Sequence, residues 1–243
     1  MCREETMSEV RLGVQSYSLR KFSLEKALEY IANLGLKYAE VYPEHLPPEL
    51  SEVDKAKQLV EKYGVKIAAH GINHMPRDEK RLKKLFEFAH KVGIEVLTAD
   101  PDLDAFDLLD KLVEEYGIAV AIHNHGPGHR YARVEDVLKA VENYSPLIGM
   151  CLDTGHIARA GQDPAEAARK LGKRLHGIHL KDINKEKKDT VLGEGVIDFK
   201  KLFETIKETG VFSKAVIVIE YELEPENPLP GIRKSLNHIQ ALI

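Results

Sequence analysis

His123, Asp153, His179 and Glu220 each lie at the end of an apolar run, in IAVAIHNHG, IGMCLDTGH, LHGIHLKD and AVIVIEYE. Two imidazoles and two carboxylates make a donor set that suits Mn, Fe, Co, Ni or Zn better than an all-oxygen site would. A cation held this way acts as a Lewis acid and a template. With room left for two substrate oxygens, it can grip a ketone oxygen and the adjacent hydroxyl. Loss of a proton from the intervening carbon then gives an enediolate whose charge the cation stabilises. A placed carboxylate base adds about 10²–10⁴ in rate, and Glu220 is the candidate.

Strand side chains alternate between faces, so each ligand candidate has a same-face neighbour. His125 follows His123, Lys181 follows His179 and Glu222 follows Glu220. A second tier comprises Glu40 in LKYAEVY, His70 in AAHG and His156 just past Asp153. These either contact substrate or merely pack and cap. Plainer roles exist for the first tier too: a hydrogen-bonded structural His, an Asp153 that caps the next helix, a Glu220 in an ion pair. Recurrence of such residues at one end of successive strands favours the metal. His74, His90, His129 and His238 read as surface residues.

Residues so far apart converge only if the strands place their C-terminal ends around one mouth, and the chain carries that pattern. The apolar runs are VRLGVQSYSL (Val10 to Leu19), LKYAEVY (Leu36 to Tyr42), VKIAAHG and IEVLTAD, followed by the four runs that end in ligands. Between them lie helical patterns at about 23–34, 51–63, 77–91, 103–116, 134–142, 164–171 and 199–208, with a last one near 231–241. Ser23 is placed to cap the first, and Gly35, Gly64, Gly93, Gly117 and Gly210 stop five of them. Strands with few polar residues need cover on both faces, as in a parallel sheet. No glycine-rich dinucleotide fingerprint follows the first strand, which argues against an open doubly wound sheet. The expected fold is a closed eight-stranded parallel (β/α)8 TIM barrel. The longest irregular segment, 182–195, follows the seventh strand and is expected to form a mobile lid.

The 243 residues are 43% hydrophobic and 30% charged, with net charge -4. This composition excludes a disordered chain, and no basic run invites nucleic acid. No apolar stretch reaches the roughly 18 residues of a membrane helix. The N-terminus MCREETMSEV lacks an apolar core for a signal peptide and reads as a disordered leader over residues 1–9, leaving 10–243 as one catalytic domain. Cys2 and Cys151 read as unpaired thiols in a reducing cytoplasm, the expected location. With no Trp, any sugar-stacking surface must use Tyr, Phe or His.

The combination of LDTGH, HLKD and GEGVIDFKKLFETIKETGV resembles the xylose isomerase-like barrel superfamily. More narrowly it resembles the sugar phosphate isomerase/epimerase group, over nearly the whole chain from GVQSYSLR to VIEYE. The resemblance implies one divalent metal, Mn first, with Mg, Co, Fe, Ni or Zn as alternatives. Its ligands come from the fifth to eighth strands as Glu, Asp, His and Glu. Asp153, His179 and Glu220 match, His156 matches the substrate-side histidine, and Lys181 and Asp182 match polar substrate contacts. The fifth strand departs, with HNH where many ketose epimerases carry Glu in a segment like ENH. Either His123 is the ligand there and His125 a second acid/base, or His125 is the ligand.

The superfamily's apurinic endonucleases use three metals and a paired Asp and His after the seventh strand. GEGVIDFKK offers Asp198 but no such histidine. The expected function is therefore a divalent-metal isomerase or epimerase acting on a ketose or keto-sugar. In it His123, Asp153, His179 and Glu220 hold the metal, Glu220 and His125 are catalytic, and His70, His156, Lys181 and Glu40 contact substrate. The alternative is a metal-dependent lyase or dehydratase on a keto-sugar or keto-inositol. A third reading, a non-catalytic sugar-binding barrel, has little use for a complete ligand set. The expected partner is a small sugar, with no nucleic acid or membrane, and association with further copies of the chain is left open.

Overall fold

A computed structural model describes residues 10–243; the expected leader, with Cys2, lies outside the described residues. The strands in chain order are β1 (Leu12–Gln15), β2 (Tyr38–Val41), β3 (Lys66–Met75), β4 (Val96–Pro101), β5 (Ala119–His123), β6 (Ile148–Asp153), β7 (Leu175–Leu180), β8 (Asp182–Ile183), β9 (Asp189–Thr190) and β10 (Val216–Ile219). Eight of them close a barrel in the order β1-β10-β7-β6-β5-β4-β3-β2, every pair parallel; β8 and β9 form a separate antiparallel hairpin. The helices are α1 (Leu24–Asn33), α2 (Val53–Tyr63), α3 (Glu79–Val92), α4 (Phe106–Tyr116), α5 (Val134–Val141), α6 (Thr154–Arg159), α7 (Pro164–Leu171), α8 (Phe199–Glu208) and α9 (Leu229–Gln240). The expected TIM barrel is thus the observed fold.

Local chemistry explains the element ends. Ser23 accepts a hydrogen bond from the Lys26 amide at the start of α1. Asp163 and Asp198 do the same for α7 and α8, satisfying amides that a helix N-terminus leaves without partners. Gly93 closes α3 at φ 88°, a left-handed conformation that a side chain resists.

Two differences from the sequence pattern matter. The first strand stops at Gln15, because the Gln15 side chain accepts from the Tyr17 amide and turns the chain into a 3-10 helix over Ser16–Leu19. The short helix α6 follows β6 immediately, capped by Asp153 itself.

Burial splits into two cores. A large one fills the space between strands and helices. A smaller one inside the barrel is made of Ala68, Ala69, Val96, Ala119, Ala121, Cys151, Val216 and Val218. Small residues dominate there because eight tilted strands leave room only for a thin filling. At the C-terminal rim, side chains extend the ladder. The Ser16 hydroxyl accepts from the Tyr42 amide at 3.0 Å and that of Ser18 from the Tyr221 amide at 2.9 Å. The Asn124 side chain bonds both the amide and the carbonyl of Asp153. Thr154 Oγ1 bridges to the amide and carbonyl of Lys181. Among the described residues no helix is long and apolar enough to cross a membrane.

Gly149 in β6 has no space for a side chain, since a Cβ would run into the Arg174 carbonyl. Gly149→Ala is expected to cost about 1–3 kcal/mol, the usual penalty of overpacking. Gly126→Ala, whose Cβ would have its nearest neighbour at 3.7 Å, is expected to cost far less. Chemical denaturation of both variants checks the difference.

Candidate metal centre

The inward-facing positions at the ends of β5, β6 and β7, and just past β10, carry His123, Asp153, His179 and Glu220. Parallel register aligns them: Asp153 pairs with His179 and Val218 with His179, so adjacent strands end at nearly one level. One donor atom from each of the four lies within 4.8 Å of the other three, and all four residues are buried.

The donor atoms fit a cation better than they fit one another. Both ring nitrogens of His123 and Oδ2 of Asp153 are buried without any hydrogen-bond partner. Their separation of 3.5 Å brings them close without bonding them. Asp153 uses its other oxygen, Oδ1, to accept from the His156 amide at 2.7 Å, which fixes the carboxylate and leaves Oδ2 free. Unpartnered buried polar atoms are costly. A divalent ion among them would supply the missing partner. His123, Asp153, His179 and Glu220 are the residues that would hold it.

Electrostatics supports the same reading. Burial pushes His123 down to about 4, keeping the imidazole neutral as a ligand must be. Burial alone would raise Asp153 and Glu220. The Lys181 ammonium, 3.4 Å and 3.2 Å away, joined by His156 and His123 at Asp153 and by His179 at Glu220, overcomes it and holds both far below the usual carboxylate range. Burial opposes the charge on Lys181, but Asp153, Glu220 and Glu222 together keep it well above its ordinary value. Its shortest contact is to Glu222. His179 lies between two carboxylates, Nδ1 2.9 Å from Glu220 Oε2 and Nε2 2.9 Å from Glu40 Oε2. Burial lowers its proton affinity, but Cys151, Glu40 and Glu220 raise it well above the ordinary value.

Above the donor set opens a cavity of about 430 Å³ lined by Gln15, Tyr17, Tyr42, Glu44, His125, His156, Lys181 and Glu222, among others. His125 and His156 thus face this mouth, with ring centroids 4.8 Å and 5.9 Å from that of His123. Burial lowers His125 from its ordinary value, and its Nδ1 is buried without a partner.

Two residues expected to touch substrate are placed elsewhere. His70 points outward from β3, packs edge-on against Phe88 and faces the Leu46 carbonyl through Nε2 at 2.9 Å; it is fully buried away from the mouth. Glu40 does point inward, but one layer too deep, under His179 and only 1% exposed. Asp182 is also turned from the mouth. Its carboxylate accepts from the amides of Ile183, Gly193, Gly195 and Ile197, so the segment expected as a mobile lid is tied down around a buried anion. A Cβ at Gly195 would run into that carboxylate, which accounts for a glycine in GEGVID. His74 and His90 are exposed, while His129, expected at the surface, is half-buried with its ring 4.3 Å from that of His125.

The sequence pattern passed over Gln15, Tyr17, Tyr42 and Glu44 as mouth residues, since none is a metal-type side chain ending an apolar run. Their position at or just after the ends of the first two strands was the available signal.

The family described as the xylose isomerase-like TIM barrel matches residues 28–242. The chain belongs to that family. A sequence relative, the inosose dehydratase of Clostridium tetani (strain Massachusetts / E88), is 32% identical over 151 residues, covering 54% of this chain and 50% of the relative. The chain thus spans about half the length of the curated relatives it matches. Among solved structures, an uncharacterised protein of Parabacteroides distasonis is 29% identical, with a TM-score of 0.74 over 96% of this chain and 98% of that one. The 3-keto-D-glucoside 4-epimerase of E. coli superposes with a TM-score of 0.78 at 16% identity, covering 96% of this chain and all (100%) of that one. That likeness speaks for the fold alone, because one barrel hosts many chemistries.

Because a bare His179 nitrogen must replace a protonated one, cation uptake is expected to release about one proton per site and to weaken as pH falls. Calorimetry in buffers of different ionisation enthalpy measures that release. Asp153→Ala and His179→Ala are expected to lose the ion on dialysis while wild-type protein keeps it. Full metal content in both variants would remove the site.

Proposed function

We propose that the chain is a divalent-metal lyase that removes water from a cyclic keto-polyol of the inosose type. The observation that carries the reading is the 32% identity to an inosose dehydratase, joined to a fifth strand ending in His rather than Glu. The isomerase or epimerase expected from the sequence gives way to the lyase, which was the alternative there.

Dehydration beside a ketone breaks a C–H bond next to the carbonyl and a C–O bond one carbon further. A C=C bond forms and water leaves. A divalent cation held by the four donors supplies Lewis-acid polarisation of the ketone oxygen when bound. The chain's own groups move the proton. Glu220 faces the mouth, but its Oε2 already meets both His179 and Lys181, and a carboxylate so well paired is a weak base. His125 lines the same mouth with an unpartnered nitrogen. It is the better proton acceptor. Once loaded, it is an acid able to hand that proton to the departing hydroxyl. Glu220 then acts chiefly as a ligand. Lys181 and His156 orient substrate hydroxyls, and Tyr17 and Tyr42 form the wall against which a ring packs.

The mouth also speaks to substrate charge. Among the described residues Lys181 is the one Lys or Arg on its lining, and three carboxylates already surround it. Glu44 adds further negative charge. A phosphorylated sugar would meet no free cation there, whereas a neutral polyol finds a dense set of hydrogen-bonding groups.

Incubation of metal-loaded protein with an inosose is expected to yield a dehydrated product; solvent-deuterium incorporation without water loss would return the reading to an isomerase. His125→Ala is expected to lower kcat by about 10²–10⁴ at unchanged metal content. Neutral keto-polyols are expected to compete at least about 10-fold better than their monophosphates, a factor that corresponds to one uncompensated charge contact. Inhibition constants measured side by side check the preference.

A further inference from the structure

Among the described residues Glu40 is the one buried carboxylate from the first half of the chain, on β2, and it faces His179 of β7. It is 1% exposed and sits beside His179 and the Cys151 thiol. Its Oε2 is 2.9 Å from His179 Nε2, and Oε1 has no hydrogen-bond partner. Among the described residues no Lys or Arg forms an ion pair with it; His179 is its partner. A buried carboxylate supported by a single imidazole is expensive to keep unless that imidazole gains from it.

The gain is visible at the opposite side of the ring. His179 Nδ1 is the nitrogen that faces Glu220, itself one of the four donor residues. A neutral imidazole has one N–H and one lone pair. If Nδ1 offers its lone pair to a cation, the proton must sit on Nε2, and Glu40 is there to accept it. We infer that Glu40 is a positioning residue: from beneath the mouth it fixes the tautomer and tilt of His179 and strengthens Nδ1 as a metal ligand. The inference rests on the metal centre read above but not on which reaction that centre performs. It also explains why Glu40 points inward yet does not reach the cavity. A carboxylate behind a ligating imidazole raises ligand basicity, and its loss typically costs 10–100-fold in metal affinity.

The test uses metal-free full-length protein titrated with Zn(II) and Mn(II) against a competing chelator. Glu40→Gln, nearly isosteric, keeps an acceptor for Nε2–H but removes the charge; Glu40→Ala removes both. Glu40→Gln is expected to weaken both metals by about 10–100-fold, and Glu40→Ala by more. Nitrogen-15 shifts of His179 in the zinc-loaded wild type should show Nε2 protonated, and Glu40→Gln should preserve that signature. Thermal denaturation of the metal-free variants identifies any that fail to fold, and Glu40→Gln then carries the comparison. Affinities within twofold of wild type in Glu40→Gln, or a zinc-loaded His179 protonated at Nδ1, would overturn the inference. A wild type that binds neither ion would overturn the metal centre itself, and the positioning role with it.

Discussion

Negative charge held out of water is the constraint around which the mouth of this barrel is arranged. Glu40, Asp153 and Glu220 are all buried, and Lys181 is the one ammonium among them. Isolated buried carboxylates would take up protons rather than remain ionised. Here Lys181 and His179 hold them in a tight set, and several donor atoms, both ring nitrogens of His123 among them, are still left without partners. A site that binds a divalent cation resolves both the surplus charge and the empty hydrogen-bonding positions. The barrel makes this affordable by placing every one of these groups on a rigid strand or one residue beyond it, so that little further ordering accompanies binding.

Much of this could be read in the sequence because the signals were periodic. Strand alternation put His123 and His125 on one face and Asn124 on the other, and the structure has Asn124 bonded to the backbone of β6 while both histidines face the barrel mouth. The eight helix–strand repeats were equally plain, since most helices have a polar cap or a glycine stop, α9 between Pro228 and Ala241 excepted. Periodicity could not say how deep a side chain sits. Glu40 and Glu220 both occupy inward positions near strand ends, but one meets His179 at Nε2 away from the cavity and the other meets it at Nδ1 on the cavity lining. His70 failed for a related reason. The register of β3 shifts against both neighbours, between Ala39 and Glu40 of β2 and again between His70 and Asn73. That irregularity turns His70 outward, and no residue type announces it. The mouth residues Tyr17, in the 3-10 turn after β1, and Tyr42, just past β2, lie where neither period applies.

Chemistry and scaffold are separable in this chain to an unusual degree. The ladder fixes register lower in the barrel, and the four donors extend from its last rungs. In the proposed reaction the choice between eliminating water and shifting a carbonyl rests with a few groups at the mouth, His125 proposed foremost, rather than with the fold that it shares with an epimerase of 16% identity.

The stitches contributed by Ser16, Ser18, Asn124 and Thr154 carry a consequence for how such a protein changes over generations. Each fastens neighbouring strand tips with its own side chain, independently of what the adjoining residue does for a living. A change of donor at position 123 would leave the Asn124 bonds that moor the tip of β5 to β6 in place. Novelty in reactivity can thus accumulate at alternate residues while the intervening ones conserve the frame.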